Sequence, residues 1–66
     1  MLRNLLAEMV RKDVSRHEIA DLIDNTYGTV SLKLKGRYEF SVKEAKKIRD
    51  TFFPNTEIEY LFENYE

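Results

Sequence analysis

Two Ser-x-x-Glu sequences constrain the fold of this chain more than any other feature. They are "SRHE", which begins at Ser15, and "SVKE", which begins at Ser41. In such a capping box the serine hydroxyl accepts a hydrogen bond from the backbone N–H three residues later, and the glutamate accepts one from the backbone N–H of the serine. Each box therefore predicts that a helix begins immediately after its serine.

Apolar residues recur at steps of three and four along the rest of the chain, as they do on one face of a helix. The predicted helices span residues 2–12, 16–24 and 27–35, a segment from Ser41 up to Pro54, and a short last segment capped by Asn55 or Thr56. Gly36 is expected to end the third helix, and Asp24 with Asn25 the second, because these residue types tolerate a left-handed backbone. With only two Gly and one Pro for turns, the expected fold class is all-α, a compact five-helix domain over residues 1–66.

The same spacing predicts which side chains face the core. Val10 is expected to join the apolar stripe of the first helix, Val42 that of the fourth, and Tyr27 that of the third together with Val30 and Leu34. A chain of 66 residues that is 42% apolar can fill only one core. It has no Cys for disulfides or thiolate metal sites, and no apolar run that could form a secretion signal or a membrane span. A reducing cytoplasm is compatible with this composition.

The charge pattern is uneven along the chain. The net charge of -1 and the pI near 5.8 argue against a general nucleic-acid binder. Residues 1–50, however, carry all eleven Lys and Arg and a net charge of +3, and residues 27–37 hold three cations and no anion. Two interpretations stay open, a local positive field around residues 27–37 and an ordinary solvated helix face.

Helices two and three are separated only by Asp24 to Thr26, which is the spacing of a helix-turn-helix. Ala20 and Val30 supply the small and the β-branched residue that close packing of these two helices requires. The stretch "SRHEIADLIDNTYGTVSLKLKG" resembles, without gaps, the phage repressor and Cro-like (lambda-repressor-like) helix-turn-helix family. The following "RYEFSVKEAKKIRDTFFPNTEIEYLF" is similar to the tail of a subgroup of short phage-type regulators. The chain departs from the family at Asp24, where Gly is frequent, and at Asn25, where an apolar residue is common.

The resemblance implies a sequence-specific transcriptional regulator of phage or prophage type, a repressor in the cytoplasm of a bacterial host, whose third helix enters the major groove of a double-stranded DNA operator. It places four residues against base edges: Tyr27, Gly28, Ser31 and Leu32. It places six others near phosphates: Arg16, His17, Thr26, Thr29, Lys35 and Arg37. None of the four base-facing residues is the Arg or Asn that makes the strongest bidentate contacts, so modest specificity, or a dependence on DNA shape, is expected.

So small a domain cannot bury all of its aromatic side chains, and Phe53, Tyr60 and Tyr65 are expected to form an exposed patch. Operators of the family are typically two-fold, so this patch is the expected interface of a homodimer. An alternative is a protein-binding module on the same fold, such as an antirepressor that docks through the patch. A tail that is partly frayed is a third interpretation.

Catalysis and metal binding are not expected. His17 and Asp21 lie one helical turn apart, but the sequence offers no third ligand for a metal site. Every Ser already has a capping or recognition role, and there is no Cys, so no nucleophile with a base can be assigned. The sequence therefore predicts neither an enzyme nor a cofactor nor a small-molecule ligand.

Overall fold

The computed structural model describes residues 1–65, which form five α-helices in sequence. They are α1 (Arg3–Lys12), α2 (Arg16–Leu22), α3 (Tyr27–Leu34), α4 (Val42–Phe52) and α5 (Ile58–Leu61). The described residues contain no strand, so the predicted all-α class is confirmed. Helix α2 ends two residues before the predicted boundary and α3 ends one residue before it. None of the helices within residues 1–65 is long and apolar enough to cross a membrane.

Local hydrogen bonds determine where the helices begin. Both capping boxes form as predicted, with the Ser15 and Ser41 hydroxyls each accepting from the backbone N–H three residues later. Thr26 caps α3 in the same way through the N–H of Thr29. The predicted cap of the last helix by Asn55 or Thr56 is wrong. The N–H of Thr56 donates to the Phe53 carbonyl in a turn, and α5 begins only after Glu57.

Three residues within 1–65 have a left-handed backbone. Asp24, as predicted, has φ of 56° and follows the end of α2. Asp13 has the same φ and ends α1, at a position where glycine is the more usual residue. Gly36 ends α3 at φ of 87°, and a Cβ built there would lie 2.8 Å from the Asn64 side chain. The positive φ and this close approach together require glycine at position 36.

The core is formed by side chains from all five helices and from the segment after α4. Its fully buried members are Leu5, Ile19, Val30, Leu34, Ile48, Phe53 and Leu61. Two predicted core residues lie outside it, because Val10 is 83% and Val42 72% exposed. Val10 lies about 100° around the helix from Met9, which is buried, and so leaves the inward stripe. Val42 lies in the first turn of α4, ahead of the buried Ala45, where no neighbouring element covers it.

The two ends of the described chain lie together. The Leu2 N–H donates to the Leu34 carbonyl at 2.8 Å, and the Tyr65 N–H donates to the Met1 carbonyl at 2.9 Å. The Asn4 amide also donates to the Tyr60 carbonyl at 2.8 Å, which joins α1 to α5. These contacts hold the C-terminal segment against the N-terminus and α1, and hold Leu2 against the last turn of α3.

Candidate nucleic-acid interface

The pair formed by α2 and α3 positions most of the residues that the sequence singles out. The turn between them is closed by a bond of 2.9 Å from the Asn25 N–H to the Ala20 carbonyl. The Asn25 side chain also accepts from the Thr26 N–H at 3.0 Å. Ala20 and Val30 are buried, as the predicted packing of these helices requires. The turn and the packing therefore hold α3 in one orientation against α2.

One face of α3 is buried and the other is not. Val30 and Leu34 are fully buried in the core. Of the four predicted base-facing residues, Tyr27 and Gly28 are exposed, whereas Ser31 and Leu32 are half-buried. Among the described residues, no heavy atom beyond the neighbouring backbone lies within 4 Å of a Cβ built at Gly28. The first turn of α3 is therefore an open surface.

Tyr27 does not belong to the buried face of α3, and the prediction that it packs inward with Val30 and Leu34 is wrong. Its side chain is 45% exposed, and its ring stacks on His17 with centroids 4.5 Å apart. Because Thr26 caps the helix, Tyr27 is the first helical residue and its side chain lies at the edge of the core, where an imidazole from α2 covers it. The stack joins the beginning of α2 to the beginning of α3. Residues ten positions apart carry no sequence signal for such a contact.

Two threonines at the start of α3 bond to each other. The Thr26 hydroxyl accepts from the Thr29 N–H at 3.1 Å and donates to the Thr29 hydroxyl at 2.9 Å. A hydroxyl has one proton to donate, so that of Thr26 is used within the cap. The Thr29 hydroxyl lies beside this cap, in the first turn of α3.

The cations of residues 27–37 divide into paired and unpaired ones. Lys33 Nζ lies 2.7 Å from Glu44 Oε1, and its side chain is only 12% exposed. Lys35 and Arg37 are exposed and form no ion pair within residues 1–65. The positive surface at the end of α3 therefore rests on two cations, because the charge of Lys33 is neutralised.

Arg16 and His17 lie at the start of α2, next to Tyr27. His17 is exposed and Arg16 is half-buried. The Arg16 Nε is shielded from solvent and has no hydrogen-bond acceptor among residues 1–65. This guanidinium is therefore short of one acceptor. A buried N–H in that state destabilises a fold by about 1–3 kcal/mol.

The predicted aromatic patch changes in composition. Phe53 is fully buried, so the prediction that it lies on an exposed interface is wrong. Its backbone leaves the helical conformation at the end of α4, with φ of -134°, and the ring enters the core. Tyr60 and Tyr65 are 40% and 37% exposed. Desolvation and the Glu8 carboxylate, which accepts from the Tyr60 hydroxyl at 3.2 Å, raise the pKa of Tyr60.

Within residues 1–65, no group of three or more His, Asp and Glu side chains is placed to hold a metal ion. Comparison with known proteins finds no matching family model, no similar curated protein and no similar solved structure.

Proposed function

We propose that the chain is a sequence-specific DNA-binding regulator of transcription, of the phage repressor and Cro-like type that its sequence resembles, with α3 as the recognition helix. The observation that carries the proposal is the division of α3 into a fully buried face and an open one. Val30 and Leu34 anchor the helix, while Gly28 has free space above it. In a helix-turn-helix, the second helix presents its N-terminal residues to the major groove in this way.

The side chains of the open face determine what α3 would recognise. The Ser31 hydroxyl donates and accepts, Leu32 offers an apolar contact to a thymine methyl, and the Tyr27 hydroxyl lies at the end of a flat ring. Gly28 allows the backbone to approach the bases or the sugar closely. These are few and individually weak contacts, so DNA shape and deformability would add to the specificity.

Phosphate contacts supply most of the affinity in this proposal. Lys35 and Arg37 are free of ion pairs within residues 1–65, and Arg16, His17 and the Thr29 hydroxyl lie near the opposite end of α3. Phosphate contacts at both ends of a recognition helix hold it in the groove without specifying sequence. We expect the DNA affinity to fall steeply as the salt concentration rises.

The proposed regulator acts as a homodimer on a two-fold operator, where it blocks or biases transcription. Tyr60 and Tyr65 are the members of the predicted patch that are exposed and so available for an isologous contact. Regulation would then follow protein concentration through dimerisation. Sedimentation that shows a monomer both free and on DNA would remove the dimer from the proposal.

The function is tested by selecting bound sequences from a randomised duplex pool at about 100 mM salt, where purely non-specific phosphate binding is weakened. Two inverted half-sites about one helical turn apart are the expected result, and they would establish both DNA recognition and the dimer. If folded protein enriches no sequence, the proposal fails.

A second candidate is a protein-binding module on the same fold. The acidic pI near 5.8 favours it, and so does the neutralisation of Lys33 by Glu44, which leaves fewer cations for DNA. The aromatic patch that would serve it is smaller than the sequence predicts, because Phe53 is buried. Absence of any selected DNA sequence would move the assignment to this candidate.

A further inference from the structure

An open groove with a volume of about 480 Å³ lies beside the proposed DNA-binding surface. Its walls come from the C-terminal half of α1, the link after α1, and the first residues of α2 and α3. This volume falls within the range of ligand-binding clefts, about 300–1,000 Å³. We call it the α1–α2 groove.

Four apolar side chains line this groove: Leu6, Met9, Val10 and Val14. Met9 belongs to the core and Leu6 packs against it, whereas Val10 is 83% exposed. Covering apolar surface of this kind with another apolar group is favourable, because it removes the surface from water. The sugar-phosphate backbone of DNA is too polar and charged to bury this apolar surface, so we expect the groove to bind a different kind of ligand.

The polar end of the groove is formed by Arg16, His17 and Tyr27. Arg16 is half-buried and its guanidinium forms no ion pair within residues 1–65, although its Nε is shielded from solvent. Asp13 also lines the groove, but its carboxylate is not within ion-pair distance of Arg16. A carboxylate brought by a ligand would fit this end, because the terminal N–H groups of a guanidinium can donate two parallel hydrogen bonds to a carboxylate.

We propose that the α1–α2 groove binds a segment of a partner protein that carries a large apolar side chain and, close to it, an Asp or Glu. The apolar side chain lies on Val10 and Met9, and the carboxylate pairs with Arg16. Because Arg16, His17 and Tyr27 belong to both surfaces, such a partner excludes DNA from α3. This last step rests on the proposed function, whereas binding of the segment does not.

The probe is a displayed library of random 12-residue peptides, selected on the folded chain. We expect enriched peptides that combine one large apolar residue with one Asp or Glu at a constant spacing. A synthetic peptide of the enriched sequence should bind the Val10→Gln and the Arg16→Gln variants at least tenfold more weakly. Val42→Gln and Arg37→Gln are the matched controls, because they make the same changes at exposed positions away from the groove. Circular dichroism checks that every variant is folded.

The inference is overturned if no peptide is enriched, or if the enriched peptides bind the groove variants and the control variants equally. Competition is measured separately, with a duplex that the chain binds. Displacement of the duplex by the peptide supports mutual exclusion, and simultaneous binding of both ligands rejects it. If the chain binds the peptide but no duplex, the proposed peptide site is supported and the proposed DNA-binding function is rejected.

Discussion

Lys33 and Glu44 form an ion pair of 2.7 Å that joins the last turn of α3 to the first turn of α4. The same carboxylate oxygen accepts the Ser41 N–H at 3.0 Å and so completes the capping box of α4. Burial acts to raise the pKa of Glu44, but the hydrogen bonds from Lys33 and Ser41 and the charge of Lys33 outweigh it and lower the pKa. One side chain therefore starts a helix and orients its neighbour.

This relationship predicts a loss of stability in acid. A carboxyl whose pKa is lower in the folded state stabilises the fold above its unfolded pKa, about 4.3 for Glu, and this contribution disappears as the pH falls through the folded value. Glu44→Gln keeps the capping-box acceptor but loses the ion pair, so it should lower the free energy of unfolding by about 1 kcal/mol at pH 7. In urea denaturation, the free energy of unfolding should fall less steeply between pH 7 and pH 3 for this variant than for the original protein.

Glu18→Gln is the matched control for that experiment. It changes the other capping box, whose glutamate forms no ion pair within residues 1–65. An equal loss of stability in the two variants at pH 7 would contradict a stabilising role for the Lys33–Glu44 pair.

Phe53 is predicted to act on folding rather than on association. Phe53→Ala removes a fully buried ring and should lower the free energy of unfolding by about 3–5 kcal/mol. Phe53→Leu should cost less and gives a folded variant if the alanine variant does not fold. Tyr38→Ala, at an exposed aromatic, should stay within about 0.5 kcal/mol of the original protein. Urea denaturation at two protein concentrations checks this, because a loss that depended on concentration would indicate an interface role.

Gly28→Ala is predicted to separate stability from DNA binding. The added methyl meets no atom of residues 1–65 within 4 Å, and alanine is the better helix former, so the stability should rise by up to about 1 kcal/mol. If DNA approaches the backbone at this position, the same methyl should weaken binding at least fivefold. Thermal unfolding and fluorescence anisotropy with a selected duplex measure the two effects. Unchanged affinity would place the DNA contact elsewhere on the helix.

Lys35 and Arg37 are predicted to bind phosphates. The double variant Lys35→Glu with Arg37→Glu should lose DNA affinity by about a hundredfold or more and show a smaller dependence of affinity on salt. The double variant Lys46→Glu with Lys47→Glu is the control, because it makes the same change in net charge at exposed positions of α4. Its DNA affinity should stay closer to that of the original protein. Titrations at several salt concentrations decide this, and equal losses in both variants would indicate a general charge effect rather than a contact.

Several features of this protein could be predicted from the sequence because they depend on residues close in the chain. The boxes that begin at Ser15 and Ser41, the cap at Thr26, and the left-handed Asp24 and Gly36 all form as predicted. Each involves a side chain and a backbone group within three residues, or the backbone preference of one residue. The helix count and the all-α class follow from these signals together with the apolar spacing.

What only the tertiary structure decided is which side chains stay exposed and which distant groups meet. Apolar spacing predicted that Val10 and Val42 are buried, and the small size of the domain predicted that Phe53 is exposed, but the structure has the opposite in each case. The Lys33–Glu44 pair and the stack of His17 on Tyr27 likewise join residues of different helices. Apolar spacing specifies a face for each helix, but burial and long-range contacts depend on where the other helices lie. That arrangement is a property of the whole packed chain.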